Sequence, residues 1–275
     1  MSDGAADIFA GQPADPDLLA ALYDLEHDEI AEDLVFYRQL AERAKGPILD
    51  LGCGSGRLFA SLLRGRRAEL VGVDGSPALL RRAALRIERD RLLATARDEG
   101  RLEVFEGDVR RLDAVIARRR RFALVVAVGV LPHLGGPDEA ARMLHGVHRL
   151  LAADGRLVLD DLGSGQLPDR DLPLSVDWKR KLEDRPVVRR SQLAVRRAPE
   201  GLHVLYSTLV DVGQPDGTIA RLPASHRLWY PSDRALAELV REAGLAVELS
   251  YGSHDLDPLL VASERRILVL VRAGR

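Results

Sequence analysis

The sequence predicts a doubly wound α/β fold, with a seven-stranded sheet and an antiparallel β insert after the fifth strand. Three observations carry this. Strand-like and helix-like segments alternate five times between residues 48 and 162, as parallel strands joined by crossover helices do. "FALVVAV" (122–128) is apolar throughout, as a strand covered on both faces should be. The alternation breaks at residue 163, and helical spacing returns only at 232–244.

Each element has its own signal. Residues 1–16 are rich in Gly, Ala, Asp and Pro and read as a mobile lead-in. "HDEIAEDLVFYRQLAERA" (27–44) places Ile30, Leu34, Tyr37 and Ala41 at helical spacing, and Gly46 and Pro47 end it. A strand follows at 48–51, a glycine turn at 52–56 and a helix from about 57. "AELVGVD" (68–74) is the second strand; Ser76 and Pro77 then supply a helix cap and a proline at the first helical position. "LEVFEGD" (102–108) is the third strand and 122–128 the fourth. A helix at 137–151 leads to the fifth strand, "RLVLDDL" (156–162). Residues 163–185 read as loop. Three β-leaning runs near 187–197, 202–212 and 218–230 are separated by turns at Pro199–Gly201 and Pro215–Gly217. A helix at 232–244 and strands at 245–251 and 265–272 close the chain.

Composition narrows the function. The chain has 275 residues, 46% hydrophobic and 30% charged, with a net charge of -2, so no general pull toward nucleic acid or anionic membrane is expected. Lys45, Lys179 and Lys181 are the lysines and every other basic residue is arginine, which reads as genome bias. The longest apolar run, Ala123 to Leu131, is about half of what a bilayer requires. The acidic N-terminus lacks an apolar signal core, so a cytoplasmic location is expected. With Cys53 as the one cysteine, internal disulfides and multi-cysteine zinc sites are ruled out.

The stretch "ILDLGCGSGRL" (48–58) concentrates the chemistry. In an open α/β sheet, ligands sit at the carboxyl ends of the strands, where glycine lets the backbone turn tightly and approach closely. A dinucleotide fingerprint, G-x-G-x-x-G, would need glycine at Arg57 or at Phe59, and both fail. What stands instead is Asp50, Gly52, Gly54 and Gly56 in D-x-G-x-G-x-G. This resembles the first motif of class I S-adenosylmethionine-dependent methyltransferases. The resemblance extends through Asp74 in "VGVDGSP", Asp108 in "EGDV", "GVLPHL" after the fourth strand and "LAADGRLVL" into the fifth. It covers 46–162 by motif and 232–272 by topology.

The resemblance implies a Rossmann-like core at 46–162 and 231–275, an N-terminal helical lid at 1–45 and the insert at 163–230. It implies S-adenosyl-L-methionine as cofactor, with methyl transfer to N or O of a small-molecule metabolite. Asp50 would orient the cofactor's amino group, and Gly52, Cys53, Gly54 and Gly56 would lie along its methionine and ribose portions. Asp74 would take the ribose hydroxyls, with Gly75 and Ser76 beside it. Asp108 and the Val109 N–H would meet the adenine, and Val128 and Gly129 would border the methyl site. Tyr23 in the lid would reach the carboxylate or sulfonium side, while Tyr37 reads as core. The layout is similar to glycine N-methyltransferase and to sugar N,N-dimethyltransferases, where such an insert covers the substrate or makes a dimer contact; a homodimer is left open.

Methyl transfer mainly requires alignment, and a base is needed only when the nucleophile arrives protonated. His133, just past the fourth strand, is the candidate base. His226, Tyr230, His254 and Asp161 are candidate substrate contacts. Cys53 reads as a small filler, and His145 and His148 as helix-surface residues with no third metal ligand. No Asn/Asp-Pro-Pro-aromatic run follows the fourth strand, which disfavours nucleobase or glutamine amino groups as acceptors. The Arg118–Arg121 run lacks interleaved aromatics and reads as solvated loop rather than RNA contact. Two other readings stand beside the first: a protein that binds the cofactor without transferring methyl, and a nucleotide-dependent oxidoreductase.

Overall fold

The computed structural model describes residues 15–65, 67–116 and 120–274. Most of the expected lead-in (1–14), and Arg118 and Arg119 of the basic run, lie outside the described residues. The chain opens with two helices rather than one, α1 (Pro16–His27) and α2 (Glu32–Arg43). Ile30 sits exposed in the link between them, so the helical spacing that included it spanned a break.

Strand β1 (Ile48–Leu51), helix α3 (Phe59–Leu63), β2 (Leu70–Asp74), α4 (Pro77–Arg89), α5 (Arg91–Asp98), β3 (Leu102–Glu106), β4 (Phe122–Val128), α6 (Pro137–Leu150) and β5 (Leu151–Leu162) follow. The helix expected from about 57 is a single five-residue turn. Helix α5 was not anticipated, although Asp90 caps it by accepting from the N–H groups of Leu92 and Leu93. Ser76 caps α4 by accepting from Leu79 N–H, with Pro77 at its first position. β5 begins at Leu151, five residues earlier than the sequence suggested.

The insert is a four-stranded antiparallel sheet of β6 (Leu172–Leu182), β7 (Arg185–Ala198), β8 (Gly201–Gly213) and β9 (Ile219–Pro231). Residues 172–182, expected as loop, are therefore a strand. β6 is an edge strand with one face in solvent, so it tolerates Pro173 and shows none of the burial that marks the others. Helix α7 (Asp233–Glu242), β10 (Leu245–Tyr251) and β11 (Arg265–Arg272) complete the chain.

The main sheet has seven strands in the order β10-β11-β5-β4-β1-β2-β3. β1 pairs in parallel with both β2 and β4, while β11 runs antiparallel between β5 and β10. The chain builds outward from β1 on one side and then returns to build on the other. The strand order thus reverses beside β1, which opens a crevice at its carboxyl end. Both faces are covered: Leu144, Val147 and Val240 pack on one, and Phe36, Phe59, Leu62 and Ile87 on the other.

The insert leans over this crevice with α1 against its inner face, where Leu22 meets Val187, Val210, Val212 and Leu222. Arginines hold α1 from two sides. From α4, Arg81 pairs with Asp17 at 2.7 Å, Arg82 with Asp24 at 2.6 Å and Arg86 with Asp28 at 2.6 Å. From the insert, Arg180 pairs with Glu29 at 3.2 Å and Arg189 with Glu26 at 3.4 Å. Among the described residues no helix is long and apolar enough to cross a membrane.

Candidate functional site

The alternate glycines have a conformational cause. Gly52, Gly54 and Gly56 take φ of +72°, +55° and +77°, a region that side chains disfavour. Space adds a second constraint: a Cβ on Gly52 would lie 2.6 Å from the Val130 methyl, and one on Gly56 2.6 Å from the Phe59 ring. The turn is pinned by Gly52 and Cys53 N–H groups, both donating to the Val73 carbonyl at 2.8 and 3.0 Å. Cys53 turns inward, and its thiol is pushed up by burial, as a packing residue's would be.

Asp74 ties this turn to the next strand exit. Its two carboxylate oxygens accept from Gly54 N–H and Ser76 N–H, each at 2.8 Å. The result is a cleft of about 770 Å³ lined by Gly52, Gly54, Asp74, Gly75, Asp108, Val109, Val128 and Gly129, with Tyr23 and His133 at its rim. Tyr23 is partly exposed, and burial of its hydroxyl end pushes the phenol up to about 12. A Cβ on Gly54 would come 3.4 Å from that hydroxyl, so the bare glycine keeps the space between turn and lid open.

Asp50 lies behind the turn, 3% exposed, and its Oδ2 has no hydrogen-bond partner. Burial pushes its carboxyl up to about 7; Arg57 opposes this and Asp74 adds to it. A buried acceptor without a donor suits a ligand that brings a cation, as the amino group of S-adenosylmethionine does. Arg57 itself is spent on Asp33 at 2.5 Å and on the Ile30 carbonyl at 3.0 Å, which fastens α2 to the turn.

Asp108 is also engaged within the chain. Hydrogen bonds from Arg110 hold its carboxyl below the usual carboxylate range: Nε lies 2.8 and 3.0 Å from its two oxygens, and Arg110 also reaches Glu139 at 2.9 Å. Arg110 also lines the cleft, a residue the sequence reading missed. Its only signal was its place two residues after a strand-end aspartate.

A second cavity of about 510 Å³ lies between α1 and the inner face of the insert. Leu19, Leu22, Val210 and Leu228 make its walls apolar, with Ser76, Glu26, Trp178, Arg189 and Tyr206 as polar points. Arg189 donates to Asp177 at 2.6 Å and to the Tyr206 hydroxyl, and the Trp178 Nε1 has no partner. Sequence reading missed these insert residues because strand periodicity reports which face a residue occupies, not what lies opposite. Tyr23, Leu79, His133 and His226 line both cavities and form the neck between them.

Three expected substrate contacts lie elsewhere. Tyr230 is buried with Leu202 and Val204. His254 packs near Phe36 and Tyr37 and bonds Asp160 at 2.8 Å. Asp161 is buried with Oδ1 unpartnered, its carboxyl pushed up to about 7 by burial. Strand alternation sends Asp160 and Asp161 to opposite faces of the sheet, and neither lines the cavities. Gly56 does not line the cleft.

Comparison with known proteins agrees with this layout. A family model described as a methyltransferase domain matches residues 25–250. The sugar N-methyltransferase KedS8 from Streptoalloteichus superposes with a TM-score of 0.70 at 19% identity, covering 100% of this chain and 99% of that one. DesVI from Streptomyces venezuelae gives 0.69 at 19%, covering 93% and 98%. The CcbJ methyltransferase from Streptomyces caelestis gives 0.66 at 22%, covering 97% and 92%. No curated protein sequence matches this one.

Proposed function

The chain belongs to the methyltransferase-domain family and is an S-adenosyl-L-methionine-dependent methyltransferase; from that premise we propose that it methylates a nitrogen or oxygen atom of a small metabolite, with His133 as the base. The observation that carries this reading is the neck at which the cofactor cleft opens into the second cavity. That cavity has the volume and mostly apolar lining of a small-molecule site and is roofed by α1 and the insert. The structural neighbours include a sugar N-methyltransferase and an amino pentose methyltransferase, which supports an acceptor of similar size.

The cofactor supplies a methyl group on a sulfonium, an electrophile with a good leaving group. The chain's residues do the rest. Asp50 and the glycine turn would hold the amino acid end, Asp74 would take the sugar and the segment from Gly107 to Arg110 would border the base. Tyr23 closes the cleft from the lid side and helps exclude water. His133 stands where the two cavities meet, within reach of a proton on an acceptor seated in the second.

Two measurements test this. Asp74→Ala should weaken cofactor binding by at least about tenfold in calorimetry, since it removes both an acceptor pair and the tie holding Gly54. Methyl-labelled cofactor incubated with the protein and a metabolite extract should pass label to low-mass material. Label found only in protein or nucleic acid would overturn the acceptor class.

A further inference from the structure

The chain has seven histidines, and among the described residues two of them line both cavities. His27, His145, His203 and His254 each have a ring nitrogen bonded to a carbonyl or carboxylate. His148 lies on α6, against Gly244. The rings of His133 and His226 make no hydrogen bond to the described residues, and both residues line the two cavities. They approach from separate units, His133 from the short turn after β4 and His226 from β9 of the insert. Their ring centroids are 6.1 Å apart, with the planes at 87°.

We propose that His133 and His226 act as a pair at the neck between the cavities, with His133 receiving the acceptor's proton and His226 as the positioning residue that keeps His133 unprotonated until then. The proposal rests on the methyl-transfer reading above. It narrows the acceptor to a group that arrives with its proton, an amine or an alcohol, rather than a thiolate or carbanion.

The surroundings assign the roles. Asp74, from β2, favours charge on His133. Arg189, from β7, disfavours it on His226, although Arg189 is itself paired with Asp177 and Glu26. Tyr206, opposite His226 in the β8–β9 register, stands at 6.4 Å ring to ring, and Tyr23, Glu26 and His27 face the pair from α1. Desolvation in the cavity walls lowers both imidazoles below the ordinary histidine value, and charge on His226 further disfavours charge on His133. Both are therefore neutral near pH 7, with ring lone pairs free. A lone pair on the acceptor nitrogen or oxygen would form the bond to the methyl carbon as the methyl–sulfur bond breaks and leaves its electron pair on a neutral thioether sulfur; the N–H or O–H proton would pass to a His133 ring nitrogen, its bonding pair staying on the acceptor atom. Water takes that proton when product leaves.

Histidine-ring NMR titration of the full chain, with and without cofactor, tests the pair without any acceptor. His226→Gln and the ring-shaped His226→Phe should both move the His133 midpoint to higher pH, with His148 on α6 unmoved. Midpoints that ignore the partner's removal would overturn the pairing. Label transfer to extract, followed against pH, tests the roles: His133→Gln should lose about 100-fold or more at every pH, while His226→Gln should shift the acid limb upward. A uniform loss without a shift in the His226 variants would overturn the positioning role. If the wild-type chain transfers no label while the midpoints still shift, the methyl-transfer reading fails and the pairing stands.

Discussion

Asp50 shows how one buried carboxyl would join the proposed binding to stability. A carboxyl held at about 7 in the folded chain and near 4 when unfolded favours the fold only while protonated. The cofactor-free protein should therefore lose stability as pH rises from about 4 to 7, then level off; Asp161, also at about 7, adds the same slope. Asp50→Asn removes one of these costs. It should stabilise the cofactor-free protein by roughly 1–3 kcal/mol at pH 8 in denaturant unfolding, while weakening cofactor binding. A bound ammonium should also draw the Asp50 proton off. Calorimetry near pH 6.5 in buffers of different ionisation enthalpy should then show proton release in the wild-type chain and less in Asp50→Asn. The need for acid and glycine here was legible in the sequence, because φ and charge are local demands. That Asp50 Oδ2 would be left without a partner was not.

At the scale of elements, the exit of β5 acts as a clasp. Asp160 is fully buried and accepts from the Tyr37 hydroxyl on α2, from His254 in the β10–β11 connection and from Arg265 on β11. Burial pushes its carboxyl up, but His254, Arg265 and Tyr37 together hold it below the ordinary value. Its stabilising effect is therefore present above the ordinary carboxylate pKa and lost as pH falls through the lowered one. Asp160→Ala leaves Arg265 and Tyr37 without their shared acceptor and should cost about 3–5 kcal/mol in unfolding experiments. Helix α1 is held differently, by partly exposed arginine pairs that salt screens. Amide exchange across 16–27 should quicken with added salt far more than exchange in β1 or β4. Neither arrangement was visible in sequence, where His254 and Asp161 read as substrate contacts and Tyr37 as plain core. Their partners lie 94 to 123 residues apart, beyond any local pattern.

For the whole molecule, the cleft proposed for the cofactor belongs to the folded state alone. Cofactor at about 100 times its dissociation constant should add about 2.7 kcal/mol and raise Tm by several degrees, with the rise much reduced in Asp74→Ala at the same concentration. The sequence by itself determined the α/β alternation, the glycine turn with its acidic partners and the placing of the β insert after β5. Hydrophobic period, forced φ and helix caps act within a few residues, so they are written locally. Tertiary structure decided the rest: the fourth insert strand, the break between α1 and α2, the second cavity and the meeting of His133 with His226. Those depend on which faces close on each other across the fold, and an edge strand or a cavity wall is defined by its neighbours rather than by its own residues.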